Sequence, residues 1–143
     1  MDIPKDLKQI QKLTGCVAAL SRFISRLGEK ALPLYRLLRR TEHFEWTDAA
    51  TAGLEEIKAI LATNPVLAAP TLGKPMLLYI AATHQVVSAV LVVEREIEGH
   101  KFPLQKPVYY VSTVLTPCKS RYPHYQKIAY EVFMASRKLR HYF

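Results

Sequence analysis

Apolar residues recur at steps of three and four through residues 4–38, which is the spacing of one face of an α-helix. This spacing predicts a helical array, in which Gly28 ends one helix and Pro33 begins a short further helix. The apolar positions are Leu7, Ile10, Leu13, Val17, Leu20, Phe23, Ile24, Leu27, Leu34, Leu37 and Leu38. The first part of the chain is therefore predicted to be helical throughout.

A second helical pattern follows after a connector. Thr47 is a suitable N-cap, and an apolar stripe at Ala50, Leu54, Ile57 and Leu61 continues towards a predicted end at Asn64–Pro65. The sequence then contains four breakers within eleven residues, namely Pro65, Pro70, Gly73 and Pro75. These breakers predict a hinge between a helical part and a part of different periodicity.

Beyond the hinge the pattern changes to short, nearly continuous apolar runs rich in β-branched residues. Residues 76–81, 86–93 and 107–112 are predicted strands, with a tight turn at Thr83–His84 and a charged hairpin loop around Gly99. A long amphipathic helix begins near Arg121. The predicted fold class is α+β: a helical segment, then a three-stranded antiparallel sheet plus a long helix.

Composition agrees with a folded domain. The chain has 143 residues, of which 50% are apolar and 22% charged, and no apolar run approaches the roughly 20 residues that cross a bilayer. Cys16 and Cys118 lie far apart and match no metal-ligand spacing, so we expect a reducing, intracellular environment, in either cytoplasm or nucleus.

The net charge of +8 is concentrated at the two ends of the sequence. Residues 1–43 carry nine Lys or Arg against four Asp or Glu, and residues 119–143 carry six against one. Residues 44–118 carry five against seven. Two basic ends are expected if two surfaces of the protein face a phosphate backbone. A solvated lysine-rich surface gives the same pattern.

Several segments in order carry a resemblance. The runs QKLTGCVAALSRFISRLGEKALPLYRLLRR, FEWTDAATAGLEEIKAIL and NPVLAAP are followed by LLYIAATHQVVSAVLVVE, KPVYYVSTVL and RYPHYQKIAYEVFMASRKLRHYF. Together they resemble gypsy-type LTR retrotransposon polyproteins, plant elements in particular, over the reverse transcriptase thumb, the connection and the ribonuclease H-like domain. The resemblance implies a helical thumb at 1–45, a connection helix and hinge at 46–70, and a partial ribonuclease H-like fold at 71–143.

The resemblance also implies where the nuclease carboxylates would lie. Active members carry an aspartate on the first strand and a glutamate on the first helix, and the matching positions here are Ala81 and Ile128. The third and fourth acidic positions would fall beyond Phe143, so we expect a truncated domain. None of the four metal-binding carboxylates is then present, and no cofactor is expected, in contrast to the Mg²⁺ of active relatives.

The chemistry explains why this loss would abolish cleavage. Two-metal phosphodiester hydrolysis uses two Mg²⁺ ions about 4 Å apart, and Mg²⁺ requires oxygen ligands that alanine and isoleucine do not have. Glu131 follows Ile128 by three residues on the same helix but would be a lone carboxylate. The five histidines are scattered and form no zinc motif. The sequence therefore predicts an inactive ribonuclease H-like domain.

Nucleic-acid binding is the activity that would remain. The candidate phosphate contacts are Lys5, Lys8, Lys12, Arg22, Arg26, Arg121, Lys127, Arg137, Lys138 and Arg140, and the candidate stacking residues are Tyr109, Tyr110, Tyr122 and Tyr125. We expect weak binding without sequence preference to an RNA–DNA hybrid or duplex, and association with the remainder of a polyprotein. No membrane contact is expected, and strand 76–81, as an apolar edge, favours self-association. The alternatives are a structural spacer within a polyprotein and an active hybrid-specific ribonuclease.

Overall fold

The computed structural model describes residues 2–39, 45–63 and 66–143. Its helices are α1 (Leu7–Ala19), α2 (Leu27–Leu38), α3 (Asp48–Ala62), α4 (Pro117–Ser120) and α5 (His124–Lys138), with a single 3₁₀ turn at Ser21–Phe23. Its strands are β1 (Met76–Ala82), β2 (Val86–Arg95) and β3 (Leu104–Val114). The predicted α+β fold class is confirmed.

The N-terminal helices form one apolar core. Side chains such as Ile10, Leu34 and Ile57, from α1, α2 and α3 respectively, are fully buried in it. The predicted cap of α3 is present, since the Thr47 hydroxyl accepts a hydrogen bond from the Ala50 amide at 3.2 Å. The predicted end of α3 at Asn64–Pro65 lies outside the described residues.

Two expectations for the N-terminal helices were wrong. Gly28 does not end a helix but lies in the first turn of α2, and Pro33 lies inside α2 instead of starting a new helix. Gly28 is needed for packing, because a Cβ atom there would approach the Ser112 hydroxyl and a Val86 methyl group within 2.7 Å. Its amide donates a hydrogen bond to the same hydroxyl at 2.8 Å, which ties α2 to the sheet.

The sheet is antiparallel with strand order β1-β2-β3. Its strands are one to five residues longer than predicted, because the alternating pattern continues into partly exposed residues at the strand ends. Alternate side chains point to opposite faces, so one face, the α5 face, carries Leu78, Ala89, Leu91 and Val111 and packs against α5. The other, the α2 face, carries Tyr79, Ala81, Ser88, Tyr110 and Ser112 and adjoins the segment around Gly28.

The predicted hinge is bound to the sheet over part of its length. The Ala68 amide donates to the Pro107 carbonyl oxygen at 2.8 Å, and the Arg95 guanidinium donates to the carbonyl oxygen of Ala69 and the hydroxyl of Thr71. The predicted domain boundaries stay a prediction. No helix within the described ranges is long and apolar enough to span a bilayer.

The Gly28 contact has a counterpart inside the helical core at Gly53, which gives a stability test. A Cβ atom at Gly53 would lie 2.4 Å from the Lys30 carbonyl oxygen. We therefore expect Gly53→Ala to destabilise the chain by about 1–3 kcal/mol, because α2 and α3 must separate. Chemical denaturation monitored by circular dichroism measures this change.

Gly15→Ala is the matched control, since a Cβ atom at Gly15 in α1 meets nothing within 4 Å. It should stabilise the chain by up to about 1 kcal/mol through helix propensity alone. Equal effects of the two substitutions would contradict the close packing of α2 on α3.

Candidate nucleic-acid interface and ribonuclease H-like site

The two positions implied for nuclease carboxylates lie at the same end of the sheet. The Lys127 ammonium group donates to the carbonyl oxygens of Thr83 and His84, at 3.2 and 3.0 Å, and so holds the first turns of α5 against the end of β1. Ala81 is the last residue but one of β1, and Ile128 follows Lys127 on α5. The backbones of the two positions therefore lie at the same end of the sheet, but Ala81 points to the α2 face whereas α5 packs on the opposite face.

The side chains at these two positions are aliphatic. Ala81 is exposed on the α2 face, opposite Ser88 of β2, and Ile128 is half-buried. Within the described ranges, no group of three or more His, Cys, Asp or Glu side chains is arranged to hold a metal ion. The residues described at this end of the sheet offer no cluster of oxygen ligands of the kind that Mg²⁺ prefers.

Glu131 lies one turn further along α5 and points into the fold. Its side chain is fully buried, and neither carboxyl oxygen has a hydrogen-bond partner among the described residues. Burial raises the pKa of Glu131 from 4.5 to about 7, against the opposing effect of the Lys138 ammonium group. Such a carboxyl group is protonated for the most part only below about pH 7, and its buried position suits the core better than a metal ligand.

The predicted cationic residues divide into exposed and buried side chains. Nine of the ten are exposed, whereas Lys127 is 6% exposed and bound to the two carbonyl oxygens at the end of β1. This placement argues against the predicted phosphate contact of Lys127, because its ammonium group already serves the fold. The exposed nine are Lys5, Lys8, Lys12, Arg22, Arg26, Arg121, Arg137, Lys138 and Arg140.

Three of the exposed cations have specific partners. The Arg22 guanidinium lies 5.2 Å from the ring centre of Phe23 and 5.6 Å from that of Tyr109, which links the 3₁₀ turn to β3. Arg26 forms an ion pair with Glu29, and the Arg137 guanidinium lies 5.7 Å from the Phe133 ring centre. The contacts of Arg22 and Arg26 hold these two cations beside the segment that joins the helices to the sheet.

A cleft brings together the two basic ends of the sequence. It has a volume of about 430 Å³ and lies between α1, α2, the end of β3 and α5. Lys138 of α5 and Arg39 after α2 both line it. Arg39 was not among the predicted contacts, because no local sequence pattern shows that α5 folds back towards the end of α2.

The predicted stacking tyrosines have different surroundings. Tyr109 packs against Tyr142, with ring centres 6.2 Å apart and planes inclined by 57°. Tyr122 and Tyr125 are exposed, while Tyr110 is half-buried on the α2 face, where burial raises its pKa. Tyr79, which is 48% exposed beside Ala81, was missed; strict alternation along β1 was the signal that could have found it.

Comparison with known proteins decides the family. Residues 46–143 match the model of the RNase H-like domain found in reverse transcriptase. The chain belongs to this family. The RNase H-like assignment agrees with the three-stranded sheet and α5, and it confirms the ribonuclease H-like part of the expected fold.

Curated relatives of this RNase H-like chain include transposon polyproteins. It is 29% identical over 139 residues to the Tf2-3 and Tf2-4 transposon polyproteins of Schizosaccharomyces pombe. The match covers 97% of the chain and 10% of each polyprotein, so the chain spans about a tenth of the length of these relatives. The predicted resemblance to a retrotransposon polyprotein is confirmed at this level.

Solved structures share the fold of the RNase H-like chain. The foamy viral protease-reverse transcriptase in complex with RNA/DNA hybrid superposes with a TM-score of 0.74 at 24% identity, over 96% of this chain and 18% of that one. The dRH form of the same viral protein, in complex with double-stranded DNA, superposes with a TM-score of 0.76 at 24% identity. The superposition covers 97% of this chain and 24% of the viral chain. At this identity the likeness shows the fold alone.

Glu131 makes the stability of the chain depend on pH. Its folded pKa of about 7 lies above the ordinary value of 4.5, so its contribution is complete below pH 4.5 and is lost as the pH rises to about 7. Above pH 7 the free energy of unfolding is lower by about 3 kcal/mol than it is below pH 4.5, as far as this group is concerned. We expect Glu131→Gln, which cannot ionise, to remove this part of the pH dependence, as measured by urea denaturation between pH 4.5 and 8.

Glu56→Gln is the control, because Glu56 is exposed on α3 and forms no ion pair with the described residues. It should follow the native chain at every pH. A Glu131→Gln variant that loses stability between pH 4.5 and 8 as steeply as the native chain would show that Glu131 ionises without penalty.

Proposed function

We propose that this chain is a catalytically silent segment of a gypsy-type retrotransposon polyprotein, which binds nucleic acid through phosphate contacts without sequence preference. The observation that carries the proposal is that aliphatic residues, Ala81 and Ile128, stand at the two positions that match the carboxylates of active members. Assignment to the gypsy type, and to a plant host, rests on the sequence motifs.

The charges support the binding part of the proposal. Nine predicted cationic side chains are exposed, and the cleft between the helices and α5 adds Arg39 next to Lys138. Opposing carboxylates are scarce near α5, because Glu131 is the one acidic residue of the last 25 and it is buried. A basic surface of this kind attracts any phosphate backbone, since counterion release drives the binding regardless of sequence.

The solved structures support the choice of partner. The foamy viral protein with this fold was solved in complex with an RNA/DNA hybrid and, in its dRH form, with double-stranded DNA. We therefore take a hybrid or a duplex as the partner of this chain, bound through the exposed cations of α1 and α5.

A second candidate function is a structural spacer within a longer polyprotein. The curated relatives are about ten times as long as the chain, and the hydrogen bond from Gly28 to Ser112 joins its helical segment to its sheet. A spacer needs this packing but no metal ligands. Sequencing of the flanking gene separates the candidates, since an intact polymerase upstream and an acidic ribonuclease H downstream would favour the spacer.

The silent site predicts no hydrolysis. Incubation of the pure chain with a labelled RNA–DNA duplex in Mg²⁺ or Mn²⁺ should give no cleavage above the protein-free control, because positions 81 and 128 carry no carboxylate and the described residues form no acidic cluster that could hold two metal ions. Metal-dependent cleavage that co-purifies with the chain through successive columns would instead establish a hybrid-specific ribonuclease.

The phosphate contacts predict a salt-dependent affinity. The logarithm of the association constant for a duplex should fall linearly with the logarithm of salt concentration, by about 0.9 per contact. Arg140→Ala should reduce this slope by about one contact, as measured by fluorescence anisotropy. Lys74→Ala, an exposed cation that is not among the predicted contacts, should leave the slope unchanged; a duplex affinity that is independent of salt would contradict the proposal.

A further inference from the structure

A hollow opens on the α2 face of the sheet beside Ala81. It has a volume of about 230 Å³, and its lining includes Tyr79, Ala81, Ser88, Val90 and Tyr110. Ser25 and Arg26, which precede α2, also line it. The hollow therefore lies at the junction between the helical segment and the sheet.

The strand register explains why this space is open. Ala81 pairs with Ser88 across β1 and β2, and both side chains are too short to fill the face between their larger neighbours. At Val86, the first residue of β2, the same face is in contact with the backbone of Gly28. The helical segment thus covers one part of the α2 face and leaves the part next to Tyr79 accessible.

The lining combines two aromatic rings with polar groups at the edge. The Tyr79 hydroxyl accepts a hydrogen bond from the Gln105 side-chain amide at 2.7 Å, which fixes the position of a ring that is 48% exposed. Tyr110 is half-buried, and burial raises its pKa, so its phenol stays neutral. Ser25 and Ser88 supply hydroxyl groups, and Arg26 supplies a cation that is paired with Glu29.

We propose that this hollow takes a single unpaired nucleobase, stacked against the tyrosine rings with its phosphate towards Arg26. Its volume lies below the roughly 300–1,000 Å³ of pockets for drug-sized ligands, which fits one flat ring system and not a whole ligand of that class. Tyrosine rings stack on any base because every base has a π-face. The proposal rests on the proposed nucleic-acid binding and adds a contact to the base.

A nucleobase fits better than an aromatic side chain of another protein. The chain carries a net charge of +8, which favours a polyanion. Arg26, at the edge of the hollow, can contact the phosphate that the sugar joins to the base. A base also offers hydrogen-bonding edges to the two serine hydroxyls, which a phenyl ring does not.

The first experiment uses mononucleotides, so it does not depend on binding to a long polyanion. Titration of the ¹⁵N-labelled chain with a nucleoside 5′-monophosphate should shift the amide resonances of Ala81, Ser88 and Val90. Ribose 5-phosphate, which lacks the base, should leave them in place. Absence of a shift, an equal shift with ribose 5-phosphate, or an equal shift with N-acetyl-tryptophanamide would each overturn the proposal.

The second experiment uses variants of the full chain and an oligonucleotide. Tyr79→Ala, which removes a ring, and Ala81→Leu, which fills the hollow, should each weaken binding to a single-stranded oligonucleotide about tenfold. Affinity for a duplex of the same length should stay unchanged, because its bases are already paired. Phe102→Ala is the control, since Phe102 is an exposed aromatic residue of the loop between β2 and β3, outside the hollow and the predicted contacts.

The outcomes separate this proposal from the proposed function. Equal single-strand affinities for the native chain and both variants, together with salt-dependent duplex binding, would overturn the base contact alone. Loss of all polynucleotide binding, with the mononucleotide shifts retained, would overturn the phosphate-binding function and leave the base site. Circular dichroism melting curves of both variants confirm that each is folded.

Discussion

The close contact between the Gly28 backbone and the sheet sets the arrangement of this molecule. Glycine alone brings α2 near enough for its amide to reach the Ser112 hydroxyl at 2.8 Å, where a Cβ atom would collide with Ser112 and Val86. Gly28 and Ser112 themselves line the cleft with Arg39 and Lys138, and Ser25 and Arg26, just before α2, line the hollow. Both candidate binding features therefore depend on a single backbone approach.

The ribonuclease H-like frame and its chemistry are separable in this chain. Lys127 still fastens α5 to the end of β1, and Leu139 and Ala135 still fill the core against the sheet. These interactions require hydrogen bonds and apolar burial but no carboxylate at positions 81 and 128. Because positions 81 and 128 carry no acidic groups, that end of the sheet avoids the repulsion that clustered carboxylates have when no metal ion is bound.

Periodicity was enough to predict the helices and strands, because each depends on which side of a short segment meets the core. It failed where the deciding partner was distant in sequence. Gly28 has the sequence signature of a helix end, yet its role comes from Ser112, 84 residues away. Lys127 belongs to a basic helix by composition, and only the fold shows that its stem is buried and its charge bound to carbonyl oxygens. The surroundings of Tyr79 and Arg39 likewise depend on tertiary packing.

The two edges of the sheet are not equivalent. Along β3 the ladder shifts register opposite Leu91 and Val92, and Pro107 at this point lacks an amide hydrogen and gives its carbonyl oxygen to Ala68. The linker therefore occupies that border, whereas β1 is uncharged along its whole length and carries neither proline nor a bulge. Of the two edges, the one alongside Met76–Ala82 therefore has the features that let a sheet accept an additional strand.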